Sequence, residues 1–169
     1  MTAMAQMVLA IDPGTTHSAY VVYRAPDILQ HARVSNIELL RDIRTGSFGD
    51  CQHMAIEMIA SYGMAVGAEV FRTCVWVGRF QEAWHNDFTE VLRREVKLHL
   101  CNSPRAKDAN VRQALLDRFG PPGTKKSPGR TYGIAKDVWQ ALGVAVTWHD
   151  NAASTSSVRG LGGGDVFQA

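Results

Sequence analysis

Continuous apolar runs predict that the chain begins with β-strands. Residues 7–11 form a short run of strand-forming side chains that stops at Asp12-Pro13-Gly14, and residues 19–23 form a second run. Because a Pro-Gly pair is a strong turn signal, the two runs predict a β-hairpin. Asp12 then stands at the end of a buried strand.

The next segment predicts two more strands around a short helix. Residues 28–34 are a weaker strand candidate, and Ser35 is suited to cap a helix that Gly46 would end. Residues 53–56 form another apolar run, which enters Glu57 directly. A second acidic residue therefore stands at the end of a buried strand.

Helical spacing recurs along the chain from residue 66 onward. Apolar residues recur with a helical period over 66–84, 107–119 and 134–148, which predicts three helices. The first is apolar around much of its circumference. We expect it to be buried on two sides, either in the centre of the core or partly at a dimer contact.

The order of the elements predicts a layered domain. Residues 96–100 alternate between apolar and polar side chains, and this period of two predicts a strand. Strands that come first and then interleave with helices predict an α/β or α+β domain over residues 1–151. Residues 152–169 are rich in Ser and Gly, and we expect them to form a flexible tail.

Length and composition exclude several classes of protein. A chain of 169 residues with 46% hydrophobic and 20% charged residues suits one domain with a single core, and it is neither disordered nor fibrous. No apolar run approaches the ~18 residues of a membrane span, and no secretory signal is visible. Three separated cysteines without a C-x-x-C pair predict reduced thiols in a cytoplasm, not a disulfide framework or a zinc site.

Positive charge is concentrated in one part of the chain. Between Arg93 and Lys136 there are 11 basic and 3 acidic residues, although the whole chain has a net charge of only +2. The segment Gly120–Arg130 has three Pro and three Gly, so it is a loop and not a helix or central strand. A basic loop suits a phosphate backbone. A solvated basic surface is the alternative interpretation.

Three carboxylates occupy positions that suggest a metal site. Asp12 and Glu57 end buried strands, and Asp137 lies early in the last predicted helix. Carboxylates that converge in this way bind Mg²⁺ or Mn²⁺, and two such ions clamp a phosphodiester during attack by water. Each residue also has a structural interpretation. Asp12 could initiate a turn, Glu57 could pair with Arg72 or Arg79, and Asp137 could be a favourable first-turn acid.

Several motifs also occur together in a recognisable order. They are Leu9–Thr15, Met54–Glu57, Val77–Arg79, Glu95–Lys97 followed by Lys107, and Asp137–Thr147. Over most of residues 7–150, this set resembles the RuvC-type Holliday junction resolvases. The loop containing Gly-Pro-Pro-Gly-Thr-Lys-Lys is more similar to the phage-encoded branch than to the bacterial housekeeping enzymes.

The resemblance implies a ribonuclease H-like α/β fold, with a mixed five-stranded sheet flanked by helices. It implies a homodimer with helix 66–84 at the contact, and Mg²⁺-dependent nicking of two opposed strands of a DNA junction, with Mn²⁺ as a substitute. In that scheme Asp12 bridges the metals, Glu57 holds one and Asp137 completes the site. It also implies that 95–100 is a short helix after a strand near 90–92, so this segment stays open. The expected DNA contacts are Lys97, Arg105, Lys107, Arg112, Lys125, Lys126 and Arg130.

The chain departs from the family pattern at three places, one of which is Ala19 at a position that is commonly Gly. Gln140 stands where a fourth acidic ligand is usual, three residues after Asp137 and within about 60° of it around a helix. Its amide oxygen can bind a metal but carries no charge, so the second metal should bind more weakly, with Asp108 as a speculative helper. Ala60 replaces a common junction-probing aromatic residue, for which Tyr62 is a possible substitute.

Three other functions remain open. Asp12-Pro13-Gly14-Thr15-Thr16 also resembles the first phosphate loop of sugar kinases and actins, but those proteins need two lobes, and their scheme has no place for the basic segment. A junction-binding protein without cleavage is consistent with Gln140. A ribonuclease H-like nuclease could also act on RNA or a flap, because a fold does not determine its substrate.

Overall fold

A mixed five-stranded sheet forms the centre of the computed structural model, which describes residues 6–159, with side chains described through residue 155. The central strand pairs antiparallel with the second strand and parallel with the fourth. The strands are β1 (Val8–Asp12), β2 (His17–Arg24), β3 (Asp27–Ser35), β4 (His53–Met58) and β5 (Phe88–Leu92). Their order in the sheet is β3-β2-β1-β4-β5, which confirms the predicted α/β class.

Helices cover both faces of the sheet. They are α1 (Asn36–Arg44), α2 (Ala68–Ala83), α3 (Arg93–Cys101), α4 (Asp108–Phe119) and α5 (Val138–Arg159). Successive side chains of β1 point to opposite faces of the sheet. Val8 and Ala10 pack in a core with α3, α4 and α5. Leu9 and Ile11 pack in a second core with α1 and α2. Asp12 continues the first of these series and therefore faces the α5 side.

The predicted hairpin of β1 and β2 is confirmed, and a buried polar network fixes its turn. Ser18 Oγ donates to Asn36 Oδ1 at 2.6 Å, and Asn36 Nδ2 donates to the Gly14 carbonyl at 2.9 Å. A Cβ on Gly14 would run into the carbonyl oxygen of His17. The predicted cap is also present, because Ser35 and Glu38 form a capping box at the start of α1.

The strand predicted for residues 96–100 is wrong, because the segment belongs to α3. Val96 is buried and Leu100 half-buried, whereas Leu98 is exposed. Val96 and Leu100 are one helical turn apart, so their burial fits a helix as well as it fits alternation. Glu95 fixes the start of α3, since its carboxylate accepts the Leu92 N–H at 2.7 Å. The strand before it, β5, lies where the family resemblance implied.

Helix α2 is confirmed, but only one side of it is buried within this chain. Val77 and Phe80 pack in the second core, whereas Phe71 and Val75 are each 62% exposed. Central burial of this helix is therefore wrong. The alternative, a contact with a second copy, stays a prediction.

Helix α5 begins later and ends later than the predicted 134–148. It starts at Val138 and continues to Arg159, so the predicted tail 152–169 begins inside the helix, and residues 160–169 lie outside the described part of the chain. No helix within residues 6–159 is long and apolar enough to cross a membrane. Cys51, Cys74 and Cys101 are free thiols.

Candidate active site

Asp12 and Glu57 lie side by side at the carboxyl ends of two neighbouring strands. β1 and β4 are parallel and pair Ile11 with Ile56, so the next residue on each strand is an acid. Both side chains point to the α5 face of the sheet, because each follows a residue of that core by two positions (Ala10 and Ala55). They line a cleft of about 430 Å³. The sequence prediction that these two acids converge is supported by this geometry.

The two carboxylates repel each other in a cleft that buries Glu57 and half-buries Asp12. Burial, and after it the charge of Glu57, raise the pKa of Asp12 to about 8. Burial also raises the pKa of Glu57, against the lowering influence of Arg93. Glu57 is 6% exposed, and its Oε2 is buried without a hydrogen-bond partner among the described residues. An unsatisfied carboxylate oxygen of this kind marks a place where a cation would be stabilised.

Arg93 is the cation nearest to this pair in the structure. Its guanidinium lies 3.4 Å from Glu57 Oε1 and 2.7 Å from Asp108 Oδ2. The alternative prediction that Glu57 pairs with Arg72 or Arg79 is wrong. Asp108 already binds Arg93, and Lys97 lies 3.7 Å away on its other oxygen. The proposed helper role of Asp108 as a metal ligand therefore has no support in this geometry.

Asp137 is held apart from the other two acids. It precedes the first residue of α5 instead of lying within it, and its carbonyl accepts the Ala141 N–H at 3.1 Å. Its carboxylate accepts a hydrogen bond from Arg33 Nε at 2.9 Å and is 52% exposed. Asp137 is still close enough for its charge to raise the pKa of Asp12.

Arg33 belongs to the same transverse row of the sheet as the acids. Arg33 pairs with Ala19 and Ala19 pairs with Asp12, so the three side chains share one face. The small Ala19 separates the guanidinium from Asp12. Neither Arg33 nor Arg93 was predicted as a site residue. For Arg93 a signal existed, because it directly follows a strand whose carboxyl end lies beside that of β4.

The residues present fit a divalent cation in part. Asp12 and Glu57 supply hard oxygen ligands, and Glu57 Oε2 has an unsatisfied lone pair. Within residues 6–159, no group of three or more His, Cys, Asp or Glu side chains is arranged to hold a metal. Asp137 would have to exchange Arg33 for the metal in order to complete the predicted set. Gln140 is 8% exposed and lies one turn further along α5.

The predicted DNA contacts fall into two groups. Lys97 lines the cleft itself, and Arg105 and Lys107 are exposed in the connection that follows α3. Arg112 places its guanidinium 5.3 Å from the centre of the Trp139 ring, in the first turn of α5. This first group therefore surrounds the cleft or the start of the helix that carries Asp137.

The second group belongs to the loop 120–130, which is folded back on itself. The Gly129 N–H donates to the Pro122 carbonyl at 2.8 Å, and a Cβ on Gly129 would meet the carbonyl of Pro121. Lys125 and Lys126 are exposed at the end of this turn. Arg130 lies 4.0 Å from Asp27. The predicted loop is confirmed, and its backbone bonds present the two lysines together.

An aromatic side chain lies at the rim of the cleft. Ala60 and Tyr62 both line it, and Tyr62 is exposed with a left-handed φ of 42°. The Arg94 guanidinium lies 5.8 Å from the centre of its ring. A cation over an exposed aromatic ring beside two buried carboxylates is well suited to hold a nucleobase against a phosphate.

The comparison with solved structures agrees with this architecture. Thermus thermophilus RuvC is similar to this chain with a TM-score of 0.67 and 17% identity, covering 89% of this chain and 97% of that one. T. thermophilus RuvC in complex with a Holliday junction substrate is similar with a TM-score of 0.64, at the same identity and coverage. No protein-family model and no curated protein matches the sequence. At this identity the likeness is one of fold, and the chain has the ribonuclease H-like fold of RuvC.

Proposed function

We propose that the protein is a metal-dependent endonuclease that resolves four-way or branched DNA by paired, symmetric phosphodiester hydrolysis. The observation that carries this proposal is the pair of half-buried Asp12 and buried Glu57, with one unsatisfied oxygen on Glu57, at the carboxyl ends of adjacent parallel strands. The fold supports it, because a structural neighbour was solved with a Holliday junction substrate. The fold alone would not carry the proposal, since function belongs to the site and not to the fold.

Asp12, Glu57 and Asp137 are the proposed ligands for Mg²⁺, with Mn²⁺ as a substitute, and Gln140 is a neutral fourth group. Such a metal, when bound, activates water and neutralises charge on the phosphate. The surrounding residues of the chain hold these ligands in position. Glu57 is fixed by its buried position in β4, and the Ser18–Asn36 network holds the turn after Asp12. Asp137 moves from Arg33 towards the other acids.

DNA contacts are proposed for the basic residues around the cleft and in the loop. Their positive charge attracts phosphate without reading sequence. Tyr62 at the rim is the proposed base-contacting residue. It would substitute for the aromatic residue that the family commonly has at the position of Ala60. The proposed phosphate contacts are Lys97, Arg105, Lys107, Arg112, Lys125, Lys126 and Arg130.

A homodimer is the proposed active form. Cutting two opposed strands symmetrically requires two active sites related by a twofold axis. Phe71 and Val75 lie one turn apart on α2 and are both exposed, so they form an apolar face that a second copy would cover. The free cysteines are consistent with a reducing cytoplasm, in a bacterium or a phage-infected host.

The proposal is tested by comparing substrates. Labelled four-way junction, flap, linear duplex and RNA–DNA hybrid are incubated with the protein in Mg²⁺ and then in Mn²⁺. We expect cleavage of the junction in preference to the other three. Preferred cleavage of the hybrid or flap would favour a different nuclease. Tight junction binding without cleavage in either metal would favour the binding protein that Gln140 suggests.

A further inference from the structure

Two arginines hold the outer members of the acidic group from opposite edges of the sheet. Arg33 comes from edge strand β3 and donates to Asp137 at 2.9 Å. Arg93 directly follows the other edge strand, β5, and its guanidinium lies 3.4 Å from Glu57. Asp12 lies between them, in the row that runs from Arg33 through Ala19. The guanidinium groups therefore flank the place where a metal would bind.

Arg33 holds one oxygen of Asp137, and Arg93 contacts Oε1 of Glu57, which leaves Glu57 Oε2 without a partner among the described residues. Asp137 is oriented towards Arg33, and within residues 6–159 no group of three acids is assembled to hold a metal. Guanidinium stays protonated at every ordinary pH, so its charge always opposes a neighbouring cation. A metal that binds here must replace the Arg33–Asp137 contact and must share Glu57 with Arg93 or displace it.

Arg93 has a second partner that could retain it after such an exchange. Its other nitrogen donates to Asp108 at 2.7 Å, which is shorter than its contact with Glu57. Asp108 lies at the start of α4, where the helix dipole also favours a negative charge. Release of Glu57 therefore leaves the Arg93 charge paired and not buried alone.

We propose that Arg33 and Arg93 are positioning residues that compete with the divalent metal for Asp137 and Glu57, so that the protein without DNA binds the metal weakly. This inference rests on the proposed metal site. Metal binding is then coupled to release of the two arginines from Asp137 and Glu57. A phosphate that binds the guanidinium groups would therefore favour metal binding.

The test is the affinity for Mg²⁺ without DNA, measured by calorimetry at pH 9, where the carboxylates are ionised. Removal of either charge should tighten binding. An exposed ion pair changes an equilibrium by up to about fivefold, so R33Q should bind Mg²⁺ about threefold to fivefold more tightly than the wild type. For R93Q we expect about tenfold, because Glu57 is buried and the charge is less screened. R33K and R93K keep the charge and should stay within about twofold of wild type.

The matched control is R41Q, which breaks an exposed Arg–Asp pair with Asp42 in α1, against the opposite face of the sheet. Its Mg²⁺ affinity should equal that of the wild type. Unchanged or weaker binding by R33Q and R93Q, or no Mg²⁺ binding by any variant, would overturn the competition. Circular dichroism melting checks that the variants are folded. Because R33Q alters only a surface side chain, the Mg²⁺ affinity of this variant alone is sufficient to test the proposal.

The junction assay separates this inference from the proposed function. Junction cleavage by the wild type together with unchanged Mg²⁺ affinities would overturn the competition and leave the nuclease standing. Tighter Mg²⁺ binding by R33Q and R93Q without any cleavage would support the competition and overturn the nuclease.

Discussion

Replacing Asp12 by Asn should stabilise the protein in the absence of metal while it removes activity. In the unfolded chain the carboxyl has its ordinary pKa of 3.8, and in the folded protein burial and the charge of Glu57 raise it to about 8. As the pH rises from about 4 to about 8, the unfolded chain releases this proton and the native state keeps it, so unfolding becomes easier. Asn carries no such cost.

The magnitude follows from the size of the pKa shift. Each unit corresponds to about 1.36 kcal/mol, which gives an upper limit of about 4 kcal/mol at pH 7. We expect the gain in the free energy of unfolding to be smaller, about 2 kcal/mol. The cleft is open to solvent, and Asn also loses part of its hydration there. The gain should grow with pH and level off near pH 8. Below pH 4 it should vanish.

Urea unfolding with EDTA at pH 5 and at pH 8 measures this difference directly. D12N should have the higher free energy of unfolding at both values, with the larger gap at pH 8. E82Q, a change in an exposed acid of α2, serves as the control and should show no such trend. A D12N variant that is less stable than the wild type, or a gap independent of pH, would refute the assignment of Asp12 as a buried, repelled carboxylate.

Three further predictions concern other parts of the molecule. Although burial opposes it, hydrogen bonds from Arg118 and His99 lower the pKa of Asp150 to about 2, so D150N should cost about 1–2 kcal/mol in urea unfolding at pH 7, with the difference lost between pH 4 and pH 2. Leu142 is fully buried in α5, and L142A should lower stability by about 2–5 kcal/mol; a cost below about 1 kcal/mol would contradict its place in the core. Neutralising Lys125 and Lys126 together should weaken binding of every DNA shape and reduce the slope of log affinity against log salt by about two; an unchanged slope would remove the loop from the interface.

The sequence was sufficient to predict the pair of acids at the carboxyl ends of the strands. Asp12 and Glu57 each end an apolar run, and parallel neighbouring strands bring their carboxyl ends to the same edge. The capping box at Ser35 and the break at Gly120 were also readable, because local side-chain and backbone chemistry decides them. Such features depend on residues that are close in the sequence.

Features that depend on distant residues were not predicted. The contact between Arg33 and Asp137 joins residues 104 positions apart, and no local sequence pattern predicts it. Arg93 and Glu57 are 36 positions apart, and their contact becomes readable only once β4 and β5 are known to be neighbours in the sheet. In α3 the local pattern was ambiguous, because Val96 and Leu100 suit both a strand and a helix, and the Glu95 cap decided between them. Asp137 was assigned to the helix, although it stands just before the helix begins.

Under the proposed function, Asp12 and Glu57 bind the divalent metal on which cleavage of a DNA junction depends. The most direct measurement maps nicks at nucleotide resolution on all four strands of a synthetic junction, for the wild type, D12N and E57Q, in Mg²⁺ and in Mn²⁺. The account predicts paired nicks at symmetric positions on two opposed strands for the wild type, and none for either variant, with junction binding retained. Nicks that persist in D12N, or no nicks by the wild type in either metal, would contradict it.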